Sequence, residues 1–174
     1  IIEANTNQKI EVKDGKIFKS DVTGTIKSDR TITGEKNAIF NKGIVYGNIK
    51  ENTISGIFGM YTSEFNTNNL IEVASPNEIV PGEAKILTVL KDNKIEEYSI
   101  NILKINTSTK TKNILFEITD KELLNKTNGV IKGMSGSPIV QNNKLIGAVT
   151  HAIVNDNEKG YGIFITTMLE EGEN

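Results

Sequence analysis

The stretch Gly133-Met134-Ser135-Gly136-Ser137-Pro138 gathers two glycines, two hydroxyls and a proline into six residues. Glycine accepts positive φ and close backbone approach, so Gly133 and Gly136 permit a bend that most residues resist. Consecutive amides in so tight a bend converge on one point. Converging N–H donors stabilise a carbonyl oxygen as it becomes an oxyanion. The amides of Gly133, Met134 and Ser135 are the candidates for that task. Pro138 fixes φ and closes the bend before the apolar pair Ile139-Val140. Ser135, at the tip, is the candidate nucleophile of an acyl transfer. A Gly/Ser/Pro cluster between strands is also how an ordinary turn is written, and the six residues alone divide evenly between the two roles.

A serine nucleophile requires a base, and the base requires a group that orients it. The sequence has one histidine, His151, 16 residues after Ser135. Histidine is the commonest general base. A lone histidine on a strand is more often structural, so catalytic, substrate-contacting and structural roles stay open for it. Asp120 precedes Ser135 by 15 residues, where the apolar run Ile114–Ile118 gives way to a helical turn. Capping that turn is its simpler role, and orienting a base is the other. Lys132 offers a Ser–Lys pairing but stands beside the turn in water. Asn155-Asp156-Asn157-Glu158 forms a loop tip that either touches substrate or simply faces solvent.

These residues need a rigid support. Ile139-Val140-Gln141 and Lys144–Thr150 flank Asn142-Asn143, a tight-hairpin signal because asparagine tolerates positive φ. The serine turn therefore runs straight into a hairpin, which suits a site better than a loose loop. Lys85–Leu90 and Ile95–Ile105 form a longer hairpin around Asp92-Asn93, Asn113–Ile118 is a further strand, and Gly160–Thr166 closes the chain before a short helix at Thr167–Glu171. Upstream, Asp14-Gly15 predicts a hairpin between Ile10–Val12 and Lys16–Phe18. Gly24 marks a bulge, and Ala38–Phe40 and Ile44–Ile49 read as two strands. Gly56-Ile57-Phe58-Gly59 marks a sharp bend or close backbone packing. The polar run Thr62–Asn69 is the candidate linker. About ten short strands with little helix define an all-β chain, a sandwich or barrel.

Composition narrows the function classes. The 174 residues fit one domain or two small packed lobes, and 37% hydrophobic with 24% charged content describes an ordinary globular chain. With 20 basic against 22 acidic residues and no dense basic stripe, a nucleic-acid partner is not expected. The absence of cysteine excludes disulfides and thiolate metal sites, and a single histidine gives no metal-ligand spacing. No glycine-rich phosphate loop opens a helix, so no nucleotide cofactor is expected. No apolar run is long enough to cross a bilayer. The start, Ile1-Ile2-Glu3-Ala4-Asn5, has no signal-peptide features and no initiator methionine, as expected of a processed or trimmed piece.

The pattern G-x-S-G-x-P is the one trypsin-like serine peptidases carry around their nucleophile. Joined to Gly147-Ala148-Val149-Thr150-His151, Val154-Asn155-Asp156 and Gly160-Tyr161-Gly162, it resembles the SpoIVB peptidase family, the stage IV sporulation protein B of spore-forming bacteria. Asp14-Gly15-Lys16-Ile17 and Gly56-Ile57-Phe58-Gly59 extend the similarity along nearly the whole chain. The resemblance implies one SpoIVB-type peptidase domain over 1–174, a serine endopeptidase of restricted specificity. It implies two packed β-barrel-like lobes related to the chymotrypsin-like double barrel, over about 1–66 and 67–174, the first expected to be incomplete. Ser135 then matches the family nucleophile and Asp120 its triad aspartate.

The family histidine lies in a Gly-His-Gly element near the start of the peptidase domain. The sequence is expected to begin just after that element, and His151 matches a different position. Thr150, His151 and Ala152 are expected to line the substrate cleft. Gly160, Tyr161 and Gly162 are expected to wall the specificity pocket, and Gly133 to help bind the oxyanion. The resemblance also implies an exported protein, membrane-associated through an N-terminal anchor, with a PDZ domain; both are expected outside this sequence. It implies action between the forespore and mother-cell membranes, on the protein itself and on a membrane-bound regulator of a second protease, without cofactor or metal. The rival expectation is a non-catalytic β-rich module that binds a partner, or a peptidase piece inactive without the upstream histidine.

Overall fold

Alternating burial shapes the second half of the chain. Ala84, Ile86 and Thr88 are buried along one strand, and Ile114, Phe116 and Ile118 along another, so each strand turns one face inward. The computed structural model describes residues 1, 2, 6, 8–64 and 67–173. Its first sheet is antiparallel, with β1 (Gly15–Ile26), β2 (Glu35–Asn52) and β3 (Ile57–Tyr61) in that order. The remaining strands are β4 (Glu72–Val73), β5 (Gly82–Val89), β6 (Ile95–Ile105), β7 (Ile114–Ile118), β8 (Pro138–Gln141), β9 (Lys144–Ala152) and β10 (Lys159–Phe164). Helix α1 (Lys121–Thr127) lies between β7 and β8, and α2 (Ile165–Gly172) follows β10.

Six of these strands close on themselves. Around the ring the order is β10-β7-β6-β5-β8-β9, and β9 pairs back to β10. Every neighbouring pair is antiparallel. Closure leaves no open edge in the ring, and its interior is filled by side chains. Ile86, Ile100, Ile102, Ile114, Phe116, Ile139 and Ile146 are all no more than 1% exposed. Strand β4 joins β9 in parallel outside the ring. Lys144 reinforces that junction by pairing with Glu72 at 2.6 Å and Glu78 at 2.7 Å.

The all-β expectation holds, with one closed barrel and a second, three-stranded sheet. The two hairpin turns of the barrel are those the sequence predicts. Asn142 and Asn143 carry φ of 51° and 62°, and Asp92 and Asn93 carry 54° and 55°. Positive φ at both central positions matches the strand twist of a tight hairpin. Upstream the outcome differs. Ile10–Val12 form no strand, and β1 begins at Gly15 and pairs with β2. Gly15 serves packing: a Cβ there would lie 2.8 Å from the Cβ of Ile49, its partner across the sheet. The two strands expected at 38–40 and 44–49 are a single strand of 18 residues. A register shift between Val22 and Gly24 marks the expected bulge. Phe65 and Asn66, at the expected lobe boundary within the candidate linker, lie outside the described residues.

The two sheets are stitched beside the serine turn. Lys36 N–H donates to Lys132 O at 2.9 Å, and Lys132 N–H donates to Gly34 O at 2.8 Å. Ser28 N–H donates to Thr127 O at 2.9 Å, behind α1. On the other side Asp92 N–H donates to Val22 O at 3.0 Å, and Val22 N–H donates to the Asn93 side chain at 3.0 Å.

Candidate active site

The serine turn is held from both ends. Gly133 and Gly136 have φ of 88° and 87°, the left-handed region that glycine enters freely. Between them Met134 drives its side chain into the core, fully buried, while Ser135 stays exposed. Gly136 N–H donates to Val149 O at 2.8 Å, Val149 N–H to Ser137 O at 2.9 Å, and Ser137 N–H to Met134 O at 2.9 Å. The turn is thereby bonded to β9, the strand that carries Thr150 and His151. The Ser135 hydroxyl donates to Thr150 O at 3.2 Å.

Three amides were candidates for oxyanion binding, and they differ. Met134 N–H is engaged with Ile131 O at 3.1 Å, so it is not available to a ligand. The amides of Gly133 and Ser135 have no partner among the described residues. The serine turn therefore holds two unengaged donors separated by one engaged donor.

Behind the turn lies a polar chain that the sequence does not announce. Lys36, near the start of β2, lays its stem along Gly133; a Cβ at Gly133 would lie 3.1–3.2 Å from three of its carbons. Its ammonium donates to Thr88 Oγ1 at 2.7 Å, and the Ser137 hydroxyl donates to the same oxygen at 2.9 Å. Thr88 and Ser137 are buried. With hydroxyl contacts only, burial brings the Lys36 pKa down to about 8. Thr88 and Ser137 sit 52 and 101 positions from Lys36 in the chain, so only the inward-facing place of Thr88 in β5 could have signalled it. Lys132 is exposed, and its backbone forms the stitch to β2.

Asp120 stands elsewhere. It is the N-cap of α1, with Oδ1 accepting from Leu123 N–H at 2.9 Å. Oδ2 accepts from Ser99 N–H at 3.4 Å, and Asp120 N–H returns a bond to Ser99 O at 3.1 Å. These contacts anchor it to β6 and the end of β7. In the six-strand ring β6 stands opposite β9, and β7 opposite β8. Ser135 precedes β8 and bonds to β9, so the two residues are carried by strands on opposite sides of the ring.

The remaining site residues lie on the paired strands β9 and β10, and of them Thr150 bonds to the serine. Ala152 pairs with Gly160 and His151 with Tyr161, while Gly162 pairs with Val149 across a register shift. The shift lets Val149 N–H and Thr150 O both face the serine turn. Ile153 N–H donates to Lys159 O at 3.2 Å, so the backbone of Ala152 faces the other way, off the sheet. Thr150 Oγ1 donates to Tyr161 O at 3.0 Å. His151 is exposed, and no hydrogen bond links it to Ser135 among the described residues. Desolvation, helped by the Lys112 charge, holds its imidazole below its ordinary pKa. At the loop tip Asp156 pairs with Lys159 at 2.7 Å, and Asn157 donates to Asp29 O at 2.9 Å. Among the described residues no group of three or more His, Asp or Glu could hold a metal ion, and no helix is long and apolar enough to cross a membrane.

The glycine-bracketed serine turn thus leads directly into β8 of the closed antiparallel barrel. A family model described as SpoIVB peptidase S55 matches residues 1–169, nearly the whole chain. The chain belongs to that family. Neither the search of curated proteins nor that of solved structures found a match.

Proposed function

We propose that this chain carries the nucleophile and oxyanion hole of a selective serine endopeptidase, with Ser135 attacking the scissile carbonyl. The observation that carries the proposal is the pair of unengaged amides, Gly133 and Ser135, beside an exposed hydroxyl on a rigid turn. Preorganised donors of this kind are worth about 10²–10³ in rate each. The backbone edge of Thr150–Ala152, which runs past the residues of β9 paired with β8, receives the substrate as an antiparallel strand, a common way to bind extended peptide. Thr150 O takes the N–H of the acyl-side residue, and Ala152 bonds the residue two further on.

The base is the imidazole of the family's Gly-His-Gly histidine, and His151 borders the peptide path. Asp120 acts through α1, whose cap it is, and not on the imidazole. The peptide substrate is a membrane-bound regulator of a second protease, and the protein also cleaves itself, in the space between the forespore and mother-cell membranes. Membrane attachment is through the family's N-terminal anchor. The test is labelling of the full-length protein by a fluorophosphonate. Adduct on Ser135, absent from a folded Ser135→Ala variant, is the expected result. A folded, unlabelled wild type points instead to a peptide-binding β module.

A further inference from the structure

The place where a serine peptidase keeps its side-chain pocket is filled by this chain's own core. A peptide bonded to Thr150 O, with its carbonyl oxygen at the Gly133 and Ser135 amides, aims its acyl-side side chain at one seam. That seam runs between the approach to the turn, residues 129–132, and the paired strand ends Ala152 and Gly160. It is shut at two points. Val130 N–H donates to Asn157 O at 2.7 Å, and a Cβ on Gly129 would lie 2.1 Å from that same oxygen. The approach segment and the β9–β10 loop are therefore in direct contact. At Gly160 an added Cβ would meet Phe116 Cζ at 2.7 Å and Val130 Cγ2 at 3.0 Å. Those two side chains are 0% and 2% exposed, so no opening reaches them from solvent.

We propose that Val130 and Phe116 restrict the acyl-side residue of the substrate to a small, uncharged side chain, no larger than valine. This rests on the peptidase assignment above. A long side chain there would run into Val130 and Phe116, the apolar groups that face Gly160. A leucine or phenylalanine would have no volume to enter. The residues expected to wall a pocket, Gly160 and Gly162, instead give their space to Phe116, Val130 and Ile139.

The experiment labels the full-length protein with peptidyl diphenylphosphonates that differ only at the acyl-side residue: alanine, valine, phenylalanine, lysine. Alanine and valine probes are expected to label Ser135 at least about tenfold faster than phenylalanine or lysine probes, since one methylene misfit already discriminates about 10–200-fold. Val130→Ala removes two methyls from the seam and is expected to raise the phenylalanine-to-alanine rate ratio about tenfold or more. Should Val130→Ala fail to fold, Phe116→Leu opens the same seam from its other side. Equal or faster labelling by the phenylalanine or lysine probe in wild type overturns the inference while leaving Ser135 reactive. Failure of every peptidyl probe and of a simple fluorophosphonate overturns the peptidase assignment and the inference with it.

Discussion

Replacing Asp120 separates a helix cap from a triad member. The carboxylate accepts from Leu123 N–H at 2.9 Å, while its second contact, 3.4 Å to Ser99 N–H, is too long to add much. Loss of such a cap costs about 1 kcal/mol, within a range of about 0.5–2. Asparagine caps about as well as aspartate, so Asp120→Asn keeps the bond and loses at most a few tenths of a kcal/mol from the helix dipole. With a urea slope of about 2 kcal/mol/M, Asp120→Ala shifts the midpoint down by about 0.5 M and Asp120→Asn barely moves it. A triad aspartate gives the opposite ranking, because its replacement by asparagine removes about 10⁴ in rate with the fold intact. The assay is urea unfolding alongside Ser135 labelling in the full-length protein. A loss of labelling above about 100-fold in Asp120→Asn, at an unchanged midpoint, would refute the cap assignment.

Two further outcomes follow from packing and charge. Lys36 has a folded pKa of about 8 against 10.5 unfolded, so the unfolded chain holds the extra proton between those values. Stability therefore rises with pH through that window; Lys36→Met keeps the stem against Gly133 and is expected to flatten the rise, read from urea midpoints at pH 7.5 and 9.5. At Gly147 a Cβ would lie 2.2 Å from Ile163 O in the β9–β10 seam, so Gly147→Ala is expected to lower stability by about 1–3 kcal/mol by calorimetry.

Local signals were legible wherever one residue pair decided the geometry. Asn142-Asn143 and Asp92-Asn93 bend the chain through their own φ angles, and Asp120 sits where a helix needs an acceptor. Asp14-Gly15 carries the same dipeptide signal but a different cause, since Gly15 answers to Ile49 across the sheet. The serine turn was readable because its glycines, hydroxyl and proline are contiguous. What lay beyond reach was long-range pairing. Lys36, Thr88 and Ser137 meet through bonds spanning 52 and 49 positions, and nothing near any of them marks the other two. Closure of the specificity seam is equally non-local, because Phe116 and Val130 arrive at Gly160 from different strands and loops.

The bond from Ser135 to Thr150 O bears directly on the proposed binding mode. That oxygen is the one a docking peptide claims on the proposed binding mode. Hydroxyl and substrate backbone thus compete for a single acceptor, and the arriving strand evicts the occupant.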